Sequence, residues 1–127
     1  MMYSRQTAGE VQDVVDKLQQ AASENQFGVL GIHNLKEKME AKGVEFGTEC
    51  QVLEVCNPKQ AKKVLEQNMS ISTALPCRIS VWREGDKVTV ATIRPTILLD
   101  MFQSPELKEV AEEVEQTIIR IIDTACR

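Results

Sequence analysis

The chain has 127 residues, of which 43% are apolar and 27% are charged, the composition of an ordinary globular protein. Its net charge of −4 argues against general binding to nucleic acid or to acidic membranes, since both need clustered positive charge. No apolar run is long enough to cross a bilayer, and residues 1–6 lack the pattern of a secretory signal. We therefore expect one domain over residues 1–127, located in the cytoplasm.

Four cysteines occur at irregular spacing, and a chain of this length can bury a core without disulfide bonds. We therefore expect reduced thiols. The cysteines are Cys50, Cys56, Cys77 and Cys126.

A capping box predicts the start of the first helix after an extended N-terminal stretch. In Thr7-Ala8-Gly9-Glu10, the Thr7 hydroxyl and the Glu10 carboxylate can each accept from a free amide of the first turn. The helix is therefore expected to begin at this box. The residues that follow at helical spacing and predict its buried face are Val11, Val14, Val15, Leu18 and Ala22.

Two apolar segments in the first half of the chain predict strands. Residues 27–32 contain two glycines, which disfavour a helix, so we expect a buried strand with a neighbour packed closely over the glycines. Residues 49–56 predict a second strand. Because Val52 and Leu53 are adjacent apolar residues, we expect a bulge there or burial on both faces.

Two short helices are predicted by their caps. Asn34 would cap a helix with Leu35 and Met39 turned inward, and Gly43 would end it in a left-handed conformation. Asn57-Pro58 is the clearest local signal, because asparagine caps helices and proline at the first helical position loses no needed hydrogen bond.

The second half predicts a β-hairpin and a long helix. Residues 78–83 and 87–94 alternate around the turn Glu84-Gly85-Asp86. An apolar segment between Pro95 and Pro105 is expected to be packed, or else to form a partner-binding patch. The stripe that predicts the last helix is Leu107, Val110, Ala111, Val114, Ile118, Ile121, Ile122 and Ala125.

This order of elements predicts an α+β domain with helices over a sheet of about five strands. The hairpin requires at least one antiparallel pair of strands. Parallel or antiparallel pairing of the earlier strands stays open.

Several short motifs resemble the bacterial and archaeal family called domain of unknown function 302. They are Phe27-Gly28-Val29-Leu30, Asn34-Leu35, Cys56-Asn57-Pro58 with Ala61 after it, and Leu75-Pro76-Cys77 before the hairpin. The resemblance covers most of the chain and implies a fold similar to the TATA-binding protein, with a curved and largely antiparallel sheet crossed by a long C-terminal helix. It also implies a homodimer and no established activity. The family is often acidic at the position of Asn34, whereas this chain has a neutral amide there.

Cys56 is the first candidate for chemistry. It directly precedes the Asn57-Pro58 helix start, where free amides and the helix dipole can stabilise a thiolate. Cys77 would lie near Cys56 if their strands are neighbours. The alternative is inert packing, since cysteine is among the most buried residue types.

Metal binding is a weaker hypothesis. Cys50 and Cys56 lack the close spacing of zinc motifs, although in a regular strand both would point to one face and could share a site with Cys77 or His33. His33 is the only histidine, and no acid or serine is marked as its partner.

The leading hypothesis is a homodimeric, non-enzymatic module that binds a small molecule or a protein. The first alternative is a thiol or sulfur-handling protein that uses Cys56 and Cys77, and the second is a Cys/His metal-binding protein. The sequence identifies no cofactor, and neither phosphate-loop nor dinucleotide-binding glycine patterns occur.

Overall fold

A computed structural model describes all residues from Met1 to Arg127. Five strands and five α-helices follow one another, with short 3-10 segments at Met69–Ala74 and Pro105–Leu107. The strands are β1 (Met2–Thr7), β2 (Gly28–Asn34), β3 (Cys50–Cys56), β4 (Cys77–Glu84) and β5 (Lys87–Ile93). The helices are α1 (Val11–Glu24), α2 (Leu35–Ala41), α3 (Pro58–Gln67), α4 (Pro95–Asp100) and α5 (Lys108–Ala125).

The strands form one sheet in the order β1-β5-β4-β3-β2, and every neighbouring pair is antiparallel. This confirms the predicted α+β class and settles the pairing of the early strands. The β4–β5 hairpin is confirmed as well: Glu84 pairs with Lys87, and Gly85 takes a φ of 64° in the turn, a value that favours glycine.

One face of the sheet packs against α1 and α5, because alternate residues of each strand point to that side. The main core lies between these two helices and the strands. Its largest fully buried side chains are Val11, Val14, Val15, Leu18, Leu53, Val55, Ile79, Ile118, Ile121 and Ile122.

The opposite face of the sheet, which we call the open face, carries the other set of alternating residues. Its apolar members are Met2, Val52, Trp82, Ala91 and Ile93. Met2 is 57% exposed and Ile93 is 43% exposed.

A second apolar cluster lies where α3, α4 and α5 meet. It consists of Val64, Ile71, Leu99, Leu107 and Ala111, with Leu65, Leu75, Phe102 and Val110 packed against it. The segment between Pro95 and Pro105 is therefore packed through Leu99, as predicted, while Ile97 and Met101 stay exposed.

The predicted capping box is wrong. Thr7 is the last residue of β1 and pairs with Val88 of β5, and α1 begins at Val11 with Glu10 at its N-cap and no side-chain cap bond. Pairing with β5, which is distant in the sequence, therefore holds the backbone of Thr7 in an extended conformation. The buried face predicted for the helix is nevertheless confirmed.

The burial predicted for residues 27–32 is also wrong in part. β2 is an edge strand, and Leu30 is 64% exposed at a bulge between Val29 and Gly31. β3 instead alternates regularly, with Leu53 buried and Val52 on the open face. The bulge lies on the neighbouring strand because β2, at the edge, can take up an extra residue without disturbing a second ladder.

The cap predicted for α2 is confirmed, since Oδ1 of Asn34 accepts from the backbone amide of Glu37 over 3.1 Å. Gly43 follows the helix with a φ of 79°. No residue of α2 is buried, however, so the inward orientation expected for Leu35 and Met39 is not seen. None of the helices is both long enough and apolar enough to span a bilayer.

Candidate functional site

A cleft lies between the two apolar clusters, bounded by α3, α4, α5 and the adjoining ends of β3 and β4. Its space totals about 520 Å³, including the part that opens to solvent, and the volume in which a water-sized molecule can be centred is about 40 Å³. One water molecule needs roughly 10–15 Å³ by that measure. The lining residues are Phe27, Val55, Cys56, Asn57, Gln60, Ala61, Val64, Ala74, Leu75, Pro76, Cys77, Pro95, Leu98, Leu99, Val110 and Val114.

None of these lining residues is an acid, a base or a histidine. The cleft is therefore an apolar site whose only strongly polar side chains are the amides of Asn57 and Gln60. Such a lining provides apolar contact area and a few orienting hydrogen bonds, the usual composition of a small-molecule pocket.

Asn57 caps the N-terminus of α3, the helix that forms one side of the cleft. Its Oδ1 accepts from the backbone amides of Lys59 over 3.1 Å and of Gln60 over 3.2 Å, and Pro58 occupies the first turn. This is the cap predicted from the sequence. Because the oxygen of Asn57 already has two donors, it stabilises the helix and is not free to bind a ligand.

The structure places the two candidate thiols together in the cleft. Cys77 opens β4 directly opposite Val55, and Cys56 is the next residue of β3. The strands are neighbours, so the two cysteines lie near each other as expected for that case, and both line the cleft.

The electrostatics of these thiols are opposite to those expected for a nucleophile. Burial raises the pKa of the Cys56 thiol, and burial together with the nearby Cys56 raises the pKa of Cys77 to about 11. Burial is the first cause for both thiols, because it disfavours the charged thiolate relative to the neutral thiol. Both thiols are protonated at neutral pH and act as small apolar groups.

Gln60 is the lining residue that sequence reasoning missed. Its Nε2 donates to Oε2 of Glu113 on α5 over 3.0 Å, while its Oε1 is buried without any hydrogen-bond partner. The available signal was weak: Gln60 follows the Asn57 cap by three residues and directly precedes the inward-facing Ala61.

His33 lies outside the cleft, on β2. Its Nε2 is 2.9 Å from Oε1 of Glu54, and its Nδ1 is 2.7 Å from Nζ of Lys38. The hydrogen bond to His33 holds the pKa of the Glu54 carboxyl below its ordinary value. The same contact explains the glycine at position 31, because a Cβ there would lie only 3.2 Å from Oε1 of Glu54.

Of the weak candidates for a metal site, Cys50 lies apart from Cys56 and Cys77. Cys50 begins β3 and Cys56 ends it, so they are separated by roughly 20 Å at about 3.3 Å per residue. Cys50 lies near Ser80 instead, with 4.0 Å between Sγ and Oγ. No group of three or more histidine, cysteine, aspartate or glutamate side chains is placed to hold a metal ion.

Comparison with known proteins gives a family and a solved structure. The model of the family described as Domain of unknown function DUF302 matches residues 3–125. A crystal structure of an uncharacterised conserved DUF302 protein from Bacillus stearothermophilus is similar to this chain, with a TM-score of 0.93 and 32% sequence identity. The alignment covers 99% of this chain and 98% of that one. No curated protein matches.

Proposed function

The chain belongs to the DUF302 family, and we propose that it works as a non-enzymatic module that binds a small, largely apolar molecule in the cleft. The observation that carries this proposal is the lining: apolar side chains from five elements surround a cleft that contains no ionisable acid or base other than two thiols. Each CH₂ group that a ligand buries there contributes about 0.8 kcal/mol.

Binding is favoured over catalysis by the state of the thiols. Nucleophilic catalysis by cysteine needs a thiolate and usually an adjacent base. The pKa values of Cys56 and Cys77 are both raised, and the only histidine lies on β2, bonded to Glu54 and Lys38. A thiol-dependent reaction therefore has no supporting group in this cleft.

An NMR titration of the full chain with butyl methyl ether tests the proposal. This probe is apolar and carries no hydrogen-bond donor. We expect saturable shifts of the backbone amides around the cleft in the wild type. Ala61→Phe should abolish them, because Ala61 lines the cleft and the larger ring fills it.

The matched control is Ala41→Phe, which places the same side chain on the exposed end of α2. It should leave binding of the ether unchanged. Equal binding by all three proteins, or none by the wild type, would contradict the proposal.

We further propose that two copies of the chain associate through the open face. Five strands about 4.8 Å apart and about 23 Å long span roughly 550 Å², so two copies would bury about 1,100 Å², just above the roughly 1,000 Å² of a specific interface. Charge favours a second copy as the partner. Arg78 is 57% exposed and lies 3.7 Å from Glu54. Each copy therefore presents a positive and a negative side chain on the open face, and a two-fold related copy can pair with both.

We place the module in the cytoplasm, a compartment that keeps thiols reduced. All four cysteines are free, including the adjacent pair Cys56 and Cys77. A reducing compartment would preserve both thiols in the cleft.

A further inference from the structure

We propose that the cleft recognises apolar molecules that carry a hydrogen-bond donor, an alcohol or an N–H group, and that Oε1 of Gln60 accepts this donor. The inference rests on the proposed function and names the class of ligand. Its starting point is that Gln60 Oε1 is a buried side-chain oxygen with no partner. A buried acceptor without a donor costs about 1–3 kcal/mol, so the fold retains an unfavourable group that a ligand can satisfy.

Glu113 determines which end of the Gln60 amide is free. A carboxylate only accepts hydrogen bonds, so the amide nitrogen of Gln60 must face Oε2 of Glu113, at 3.0 Å. The reverse orientation would place two acceptors against each other. Glu113 is therefore a positioning residue that keeps an oxygen, and not an N–H group, on the cleft side.

The other polar groups of the cleft do not compete for a donor. Oδ1 of Asn57 already accepts two backbone amides, and the thiols of Cys56 and Cys77 are weak acceptors. No lysine or arginine lines the cleft, so an anionic ligand would lose its hydration without gaining a counter-charge. The chemistry of the lining therefore favours a neutral molecule with one donor.

The ligand must displace part of the apolar lining to reach this oxygen, because Oε1 is covered in the unliganded protein. The cleft leaves only about 40 Å³ for the centre of a water-sized molecule, so a five-carbon ligand enters only if some of the lining side chains rotate. Side-chain rotations of this kind are common when ligands bind.

A pair of isomers tests the inference. The alcohol n-pentanol and butyl methyl ether have the same atoms, but only the alcohol has a donor. In NMR titrations of the full chain, we expect the wild type to bind the alcohol about fivefold more tightly, the ratio given by one net hydrogen bond of average strength. Gln60→Leu should bring the ratio of the two dissociation constants to about one or below.

Glu113→Gln is a second variant, which changes an exposed residue and leaves Gln60 in place. Because the new amide can donate as well as accept, Gln60 can turn, and the preference for the alcohol should fall several-fold. Glu112→Gln is the control, an exposed residue of the same helix that makes no bond to Gln60, and it should keep the wild-type ratio.

The outcomes separate this inference from the proposed function. Equal affinity of the wild type for both isomers would overturn the inference and leave the apolar cleft standing. Binding of neither isomer would overturn both. A preference for the alcohol that survives in Gln60→Leu would assign the acceptor to another group.

Discussion

The side chain of Gln60 on α3 donates its Nε2–H to Glu113 on α5 over 3.0 Å and leaves its Oε1 buried without a donor. We therefore predict that Gln60→Leu stabilises the unliganded protein by about 1 kcal/mol, because it removes an unsatisfied buried acceptor and adds apolar surface. Urea denaturation followed by circular dichroism measures the free energy of unfolding. Gln67→Leu, at the exposed end of the same helix, should change it by less than about 0.5 kcal/mol.

A loss of stability in Gln60→Leu would show that Oε1 has a partner in solution, such as a bound water molecule. The prediction of greater stability with weaker alcohol binding is the trade-off expected of a residue kept for function.

The thiols of the cleft should react slowly. With a pKa of about 11 against an ordinary 9.0, Cys77 has a thiolate fraction at pH 8 about a hundredfold below that of a free cysteine. We expect alkylation of Cys77 by iodoacetamide at pH 8 to be at least that much slower in the folded protein than in urea, with Cys56 also slowed by burial. Mass spectrometry of peptides from timed samples measures both rates.

Labelling of Cys56 in the folded protein as fast as in urea would instead support the thiol-handling alternative. The comparison is internal to each cysteine, so no reference protein is needed.

The contact between His33 and Glu54 should make stability depend on acid pH. The pKa of Glu54 is lowered from an ordinary 4.5, and the hydrogen bond to His33 is the largest cause. The folded state therefore stabilises the ionised form of this carboxyl group. The contribution of Glu54 to the free energy of unfolding is present above pH 4.5. It is lost as the pH falls through the lower pKa that Glu54 has in the folded state. We expect the urea midpoint of the wild type to fall more steeply below that pH than the midpoint of His33→Ala or Glu54→Gln.

Glu45→Gln is the control for this prediction, since Glu45 is exposed and has no ion-pair partner. It should retain the wild-type dependence on pH. The same slope in all four proteins would mean that the contact does not affect the equilibrium between folded and unfolded states.

The open face should control self-association. In sedimentation experiments at tens of micromolar we expect a mass of twice the 14.3 kDa of one chain. Trp82→Lys or Val52→Lys should weaken the dimer at least tenfold, because each places an unpaired charge in the centre of the proposed interface. Met69→Lys changes a side chain that is 68% exposed on the Met69–Ala74 segment and should leave the dimer intact.

A wild-type protein of single-chain mass at these concentrations would refute association through this face. Dimers that persist equally in Trp82→Lys and Met69→Lys would place the interface elsewhere.

The features that could be predicted from the sequence depend on short-range interactions. The hairpin around Gly85, the cap at Asn57 and the apolar stripe of α5 each follow from residues within a few positions of one another. The α+β class followed from the order of these elements, and the resemblance to the family agrees with the match over residues 3–125.

The features that could not be predicted depend on distant contacts. Thr7 reads as a helix cap, yet its pairing with Val88 places it in β1. The start of a helix beside Cys56 suggests a lowered pKa, but burial among distant elements raises it. Gln60 meets Glu113 across 53 positions of the chain, so neither residue stands out before α3 and α5 are packed together.

The central claim is that the cleft between α3, α4 and α5 holds a small apolar molecule. Its most direct test is a measurement of nuclear Overhauser effects between the protons of butyl methyl ether and the methyl groups of the full chain. We predict contacts to Val64, Leu98 and Val114, which line the cleft from three different helices. Contacts confined to Ile97 and Leu107, which line a separate groove between α4 and α5, or none at saturating probe, would contradict the account.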